Sequence, residues 1–398
     1  MILFANSHPS PDLLAIGFCF LESDIGLLNT LDLVALEDEA MALAPDSGAV
    51  LMLNSSAARI VGLVRDGFER HEIIQALVKH SGATEGQIQK DFSALESTVQ
   101  RWLDQASASG RPTRVATPLD PPMLRATYML FGNKVRIDYP DYKFSSFLHP
   151  YFAAFQVATE EPDLRLQFKI EASLCTVHCG MATFKAPNEG GAGALGAVCQ
   201  ALLFHDKTEQ EQLNVYLHCG GVLGRNGAWL IGGASGRGKS TMVAALDAAG
   251  HVTLADDILP IDPGARLAFP MPSSMSVKAG SWGRIAKSHP DQVASPVWKT
   301  VAGKTVLKIA PHNPPRNGDR TGHPIAGFLF PDRTDDDALA IEPMGIKEAM
   351  VSLCDKYGRF PSNHSDLQAL ASCVAAVPRY KLRYRDADCM VSELANLL

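Results

Sequence analysis

The sequence predicts an α/β protein with a smaller α+β unit ahead of it. Three observations carry this. A short apolar strand at residues 228–231 runs into a glycine-rich loop and then a helix at 241–249. A second strand-like run, 251–255, follows and ends in two carboxylates. Far upstream, two strand-like runs precede three segments of helical periodicity.

Bulk properties narrow the class. A chain of 398 residues has room for two or three domains, and 46% apolar residues can bury a real core. A net charge of −7 argues against a dedicated nucleic-acid binder. The eight cysteines include no CxxC pair. The one cluster, Cys175-Thr-Val-His178-Cys179, lacks a matching second pair and reads as buried thiols rather than half a zinc site. Residues 13–21 are apolar but lack a basic n-region and a cleavage site, and no run is long enough to span a membrane. The expectation is a soluble cytoplasmic protein.

Taken in order, residues 31–36 and 49–53 read as strands, with Pro45-Asp-Ser-Gly48 as turn chemistry between them. Asn54 or Ser55 can cap a first helix that buries Ala57, Ile60, Val61 and Val64, and Asp66-Gly67 stops it. A second helix carries Ile73, Ile74, Leu77 and Val78, and Gly82 closes it. Thr84 and Gln87 suggest a capping box for a third, which buries Ile88, Phe92, Leu95, Val99 and Trp102. The spacing predicts a winged-helix-like α+β domain within residues 1–105, its core about 29–104.

Residues 106–122, rich in Ser, Gly, Thr and Pro, read as a linker. The rest, 123–398, is expected to form one domain: a strand-rich lobe over 123–215 and a core over 216–398. In the lobe, residues 125–131, 134–138, 164–170 and 174–178 read as strands. Gly191-Ala-Gly-Ala-Leu-Gly196 matches GxGxxG, yet no clean strand abuts it, so it reads as a helix entry rather than a dinucleotide site. Near the C-terminus, 326–330 reads as a strand ended by Pro331, and 345–354 and 366–377 read as helices.

The chemistry concentrates after residue 217. Gly233-Ala234-Ser235-Gly236-Arg237-Gly238-Lys239-Ser240 is GxxxxGK[ST] between a strand and a helix that opens at Thr241. Glycines let successive N–H groups curl toward one phosphate, and the helix N-terminus adds positive potential. Lys239 supplies a charge to the β- and γ-phosphates, and the Ser240 hydroxyl is placed to ligate Mg²⁺. Asp256 and Asp257 follow Lys239 by 17 and 18 residues at the end of the next strand. If that strand lies beside the loop strand, one carboxylate can hold Mg²⁺ and the other can take a proton from an attacking hydroxyl. A solvated strand end is the bland alternative for the pair. His218, 21 residues before Lys239, is by itself more often structural.

The segment from Leu217-His218 through Gly233–Ser240 to Asp256-Asp257 resembles the catalytic core of HPr kinase/phosphorylase, including both spacings. The resemblance implies a P-loop fold of the HPr kinase and phosphoenolpyruvate-carboxykinase type. It also implies ATP with Mg²⁺, transfer to a serine hydroxyl, and a role for His218 beside the aspartates. Ser276-Val-Lys278, Lys304-Thr-Val and Phe330-Pro331 look like the related proteins of peptide-modification gene clusters. Cys219 departs from the glycine of the sugar-regulatory enzymes, and their Glu- and Arg-containing signature is not recognisable after Asp262. Phosphorylase activity and HPr as substrate are therefore not implied. Leu53-Asn54, Ala57, Asp66-Gly67, Ile73, Leu77 and Asp91 resemble the PqqD family, small domains that bind leader peptides.

Together these readings suggest a serine/threonine kinase acting on a ribosomally made precursor peptide held by the N-terminal domain. An ATP-binding chaperone without chemistry, an HPr-type kinase or phosphorylase, and a metabolite kinase remain as alternatives. The acceptor, the reaction direction, the split of roles within the aspartate pair and the oligomeric state stay open.

Overall fold

A computed structural model describes residues 25–398 apart from 37–38, 44–49, 109–116, 119–123, 159–160, 172–173, 188–191, 206–212, 214, 235, 293–296, 300–304, 317–318, 335–338 and 354–363. The described residues divide into two compact units, one within 1–110 and 360–371, the other within 111–359 and 372–398.

In the first unit, α1 (Ile25–Asn29) leads into an antiparallel meander of β1 (Asp32–Leu36), β2 (Glu39–Leu43) and β3 (Val50–Leu53), in that order. The middle strand does not show in the sequence pattern. Glu39-Ala-Met-Ala-Leu43 is built of good helix formers, and pairing on both sides overrides that preference. The expected turn at 45–48 lies outside the described residues.

Three helices follow. Asn54 caps α2 (Ser55–Arg65), its side chain accepting the Ala57 N–H at 2.9 Å, and Ala57, Ile60, Val61 and Val64 are buried as the spacing predicts. A capping box does form, but on α3 (Arg70–Ser81), between Glu69 and Glu72; Gly82 ends that helix at φ +68°. On α4 (Glu85–Ala108) only half the expected box exists. Thr84 Oγ1 accepts the Gln87 N–H, while the Gln87 side chain turns to Asp91. Ile88, Phe92, Leu95, Val99 and Trp102 of α4 join Leu51, Leu53 and the α2 residues in one core. Because α4 continues to Ala108, the segment read as a linker begins inside a helix.

The linker reading fails again at β4 (Thr117–Pro118), which pairs with a strand near residue 298. Beyond it lie β5 (Arg125–Leu130), β6 (Asn133–Asp138), α5 (Tyr142–Phe152), β7 (Leu164–Ile170), β8 (Leu174–Cys179), β9 (Ala182–Pro187) and α6 (Ala192–Phe204). The five strands form a sheet in sequence order, antiparallel except for β6 with β7. Residues 195–204 of α6 are all buried, which fits a helix that is apolar all round. The described part of the GxGxxG match sits within α6 and makes no phosphate loop.

The core contains β10 (Val215–Leu217), β11 (Gly220–Gly224), β12 (Gly227–Ile231), α7 (Lys239–Ala248), β13 (Thr253–Ala255), β14 (Leu259–Asp262), β15 (Leu267–Ala268), β16 (Met275–Lys278), α8 (Trp282–Ser288), β17 (Val297–Lys299) and β18 (Thr305–Ile309). It is completed by β19 (His323–Arg333), β20 (Leu339–Pro343), α9 (Ile346–Leu353), β21 (Arg379–Tyr384) and α11 (Ala387–Leu394); between α9 and β21 the chain forms α10 (His364–Ala376), whose residues 364–371 belong to the first unit. A nine-stranded sheet runs β10-β14-β15-β19-β12-β11-β13, with β21 on β19 and β20 on β21. Strands β12, β19 and β21 are parallel, and β12 is buried along Ala228–Ile231 as a central strand should be. A smaller sheet has the order β16-β18-β17-β4. Helix α7 lies in a core with residues of β11, β12, β16, β18 and α11. Pro331 does not end its strand: β19 runs on to Arg333, because past Leu329 it has left β12 and a residue without an N–H is tolerated.

Candidate functional site

The site forms at one end of the nine-stranded sheet, where three neighbouring strands present their ends. β11 is antiparallel to both β12 and β13, with Gly220 opposite Ile231 and Gly221 opposite Ala255. The start of β11, the end of β12 and the end of β13 therefore share one edge. This corrects the simplest expectation, in which β13 lies directly beside β12. The β11–β12 hairpin closes at Arg225-Asn226 and takes that place, yet the carboxyl ends of β12 and β13 still point the same way. Gly220 lets α7 approach, since a Cβ there would stand 2.3 Å from Val243 Cγ2.

The loop after β12 bends through Gly233, Gly236 and Gly238 at φ of +118°, +95° and +104°. Gly238 is doubly constrained: besides its φ, a Cβ would lie 2.7 Å from the Tyr384 hydroxyl. Ala234, Gly236 and Arg237 are exposed, Gly238 is half-buried, and Ser235 lies outside the described residues. Helix α7 starts at Lys239, so its first N–H groups lack intrahelical acceptors and can hold an anion. The Lys239 ammonium donates to the Gly233 carbonyl at 2.5 Å. Arg237 pairs with Asp332 at 2.7 Å, and the Thr241 and Ser281 hydroxyls meet at 2.9 Å.

Asp256 and Asp257 face different partners. Asp256 is 1% exposed. Its Oδ2 accepts the Ser276 N–H at 2.8 Å, and its carboxylate also bonds the Ser240 hydroxyl. Burial, then the neighbouring Asp257 charge, push its carboxyl up to about 6. The Asp257 side chain is 25% exposed and stands 3.2 Å from His218 Nδ1. Burial would raise Asp257; the charges of His218, Lys308 and Lys239 and a hydrogen bond from Tyr151 overcome it and hold the carboxyl low. Asp257 also has φ +78°, an uncommon backbone state of the kind that persists where surrounding structure enforces it. Burial pushes the Cys219 thiol up, so it is a neutral thiol beside the pair.

Two further groups that reach the aspartate pair were not read from the sequence. Tyr151, on α5 of the strand-rich lobe, donates its hydroxyl to Asp257. Its position is fixed by Ser274, whose N–H bonds the Tyr151 carbonyl at 2.6 Å and whose hydroxyl accepts the Ala154 N–H. Lys308, on β18, is buried and donates to the Ser276 hydroxyl at 2.6 Å. A single lysine inside the apolar run Val306-Leu-Lys-Ile309 is a usable signal. Nothing local marks Tyr151.

Two other clusters do not make metal centres. Cys175 and Cys179 share one face of β8 while His178 projects from the other and meets Thr183. Asp247, His289 and His312 converge at the far end of α7. The Asp247 carboxylate already accepts from Thr253, His289 and the His312 and Asn313 N–H groups. The two imidazoles are stacked at 4.2 Å, so their in-plane lone pairs run side by side rather than meeting.

Among the described residues no helix is long and apolar enough to cross a membrane. No curated protein matches the chain significantly. Residues 39–109 match the family described as coenzyme PQQ synthesis protein D, PqqD, so the N-terminal unit carries a PqqD-like domain.

Proposed function

We propose that the chain is an ATP-dependent kinase that phosphorylates a serine or threonine hydroxyl of a precursor peptide. The observation that carries this reading is the meeting of the loop before α7 with the Asp256–Asp257–His218 group at one sheet edge. The residues fit a nucleotide phosphate and Mg²⁺. The loop turns on positive-φ glycines at a helix N-terminus, and Ser240 and Asp256 put two hard oxygen donors together. Mg²⁺ and ATP together would supply a polarised γ-phosphoryl group and charge neutralisation for its transfer.

The chain's own residues then divide the work. Gly233, Ala234, Ser235, Gly236, Arg237 and Gly238 shape the phosphate loop, with Ser240 and Thr241 opening the helix behind it. Lys239 leaves the Gly233 carbonyl to meet the phosphates. Asp256, bonded to Ser240 and buried, is the metal-side carboxylate; its raised pKa is what a nearby divalent cation reverses. Asp257, more exposed and ionised at neutral pH, accepts the acceptor hydroxyl's proton. His218 holds Asp257 in place from the β10–β11 turn.

The PqqD-like unit supports a peptide acceptor. Among the described residues β3 is an edge of its sheet, with backbone groups that an extended peptide can pair. The test is transfer of labelled γ-phosphate to a seryl-peptide library, and to any short precursor peptide that a search of the gene's neighbourhood yields. Label on serine or threonine supports the reading. ATP binding without label on any acceptor favours a chaperone that presents the peptide.

A further inference from the structure

The aspartate pair poses a charge problem that β13 and its neighbours do not solve. Two adjacent carboxylates, one 1% exposed and the other 25%, sit within a folded core. Around them stand His218 from the β10–β11 turn, Lys239 from α7, Lys308 from β18, and the neutral Tyr151 and Cys219. His218 pairs with Asp257. Lys239 is directed at the Gly233 carbonyl and, in the kinase reading, is committed to phosphates. Lys308 is placed differently. Its ammonium bonds Ser276, whose own N–H bonds Asp256. The same ammonium lies 4.9 Å from the ring centroid of Tyr151, whose hydroxyl bonds Asp257. One buried cation thus reaches both carboxylates, each through a single intermediary residue: Asp256 through the hydroxyl and backbone N–H of Ser276, Asp257 through the Tyr151 side chain. Burial pulls Lys308 below the usual lysine range, and both aspartates pull it back.

We propose that Lys308 is the resident counter-ion and positioning residue of the Asp256–Asp257 pair, holding Asp256 through Ser276 and Asp257 through Tyr151. The proposal rests on the reading of the pair as the metal-binding and proton-accepting group of a phosphotransferase. Its consequence is that Lys308 competes with a divalent cation for the same negative charge. The pair alone then holds a cation weakly, and the cation arrives with the nucleotide, whose phosphates supply the remaining ligands. A lysine that merely filled space would have no such effect.

The experiment is a titration of the full chain with Mn²⁺ alone, followed by electron paramagnetic resonance at pH 8 without nucleotide. Lys308→Met keeps the length of the side chain and removes the charge. It is expected to bind Mn²⁺ about tenfold more tightly than the wild type, because one opposing charge a few ångströms away is gone. ADP binding in EDTA is expected to stay within about twofold, since the loop before α7 is untouched. Should Lys308→Met not fold, Lys308→Gln retains a donor for Ser276 and is read in the same way. Unchanged or weaker Mn²⁺ binding with intact ADP binding overturns the proposal. Lost ADP binding overturns it too, by making Lys308 a phosphate ligand. The titration contains no transfer step: a wild-type chain that moves no phosphate sinks the kinase reading alone, and an unmoved Mn²⁺ affinity sinks the counter-ion alone.

Discussion

At the scale of single residues, Asp256 and Asp257 are neighbours in sequence with opposite electrostatics. Burial comes first among the causes acting on both, but only Asp257 has enough opposing positive charge to offset it. This sets a pH prediction whose sign can be worked out. Asp256 has a folded pKa of about 6, above its unfolded value. A raised acid stabilises the fold below the unfolded pKa and loses that contribution as pH rises through the folded one. At pH 8 the ionised, metal-free Asp256 therefore costs on the order of 2–3 kcal/mol. Metal-free Asp256→Asn is expected to melt higher than the wild type at pH 8, with the gap closing between pH 6 and pH 4. A variant that melts lower at pH 8 contradicts this. In the kinase reading Asp256→Asn and Asp257→Asn both lose transfer. The first should shift the Mg²⁺ dependence, and the second should lower kcat by about 10²–10⁴-fold with little change in Mg²⁺ dependence. Steady-state rates across a Mg²⁺ series separate the two.

At the scale of elements, much of the chain was legible because local chemistry agreed with the tertiary outcome. Asn54 caps α2, Gly82 closes α3, and the five apolar positions of α4 all face the core. The loop after β12 was legible because Gly233, Gly236 and Gly238 all take positive φ, a local demand that marks itself in the sequence; the added close approach of Tyr384 to Gly238 left no such mark. What stayed hidden depends on contacts far apart in sequence. Strand β2 is made by pairing, β11 intervenes between β12 and β13, and Tyr151 and Lys308 come from α5 and β18, more than 40 residues from the aspartates on either side. The same distance hides Asp247. From the last turns of α7 its fully buried carboxylate pins residues 312–313 and His289. Replacing it by Asn turns one acceptor oxygen into a donor facing N–H groups. Asp247→Asn is expected to cost about 2–4 kcal/mol. A urea melt that moves by less than about 1 kcal/mol would show that these bonds are easily replaced.

At the scale of the whole molecule, a PqqD-like domain and a candidate phosphotransfer site occur in one chain. If the first recruits the acceptor for the second, tethering raises the local acceptor concentration and acts on KM. Free leader peptide added in trans should then compete with a leader-bearing precursor and raise its apparent KM. It should leave a short leaderless acceptor unaffected. Equal inhibition of both acceptors, or of neither, contradicts recruitment by the N-terminal unit.

The most direct measurement is γ-phosphate transfer from labelled ATP by the full chain, made in parallel with Lys239→Ala. The expected result is label on a serine or threonine of the peptide with the wild type. The variant, folded as judged by an unchanged melt, should be slower by about 10²-fold or more, because it lacks a charge on the transferring group. Peptide labelling by Lys239→Ala at the wild-type rate would contradict phosphoryl transfer at the loop before α7.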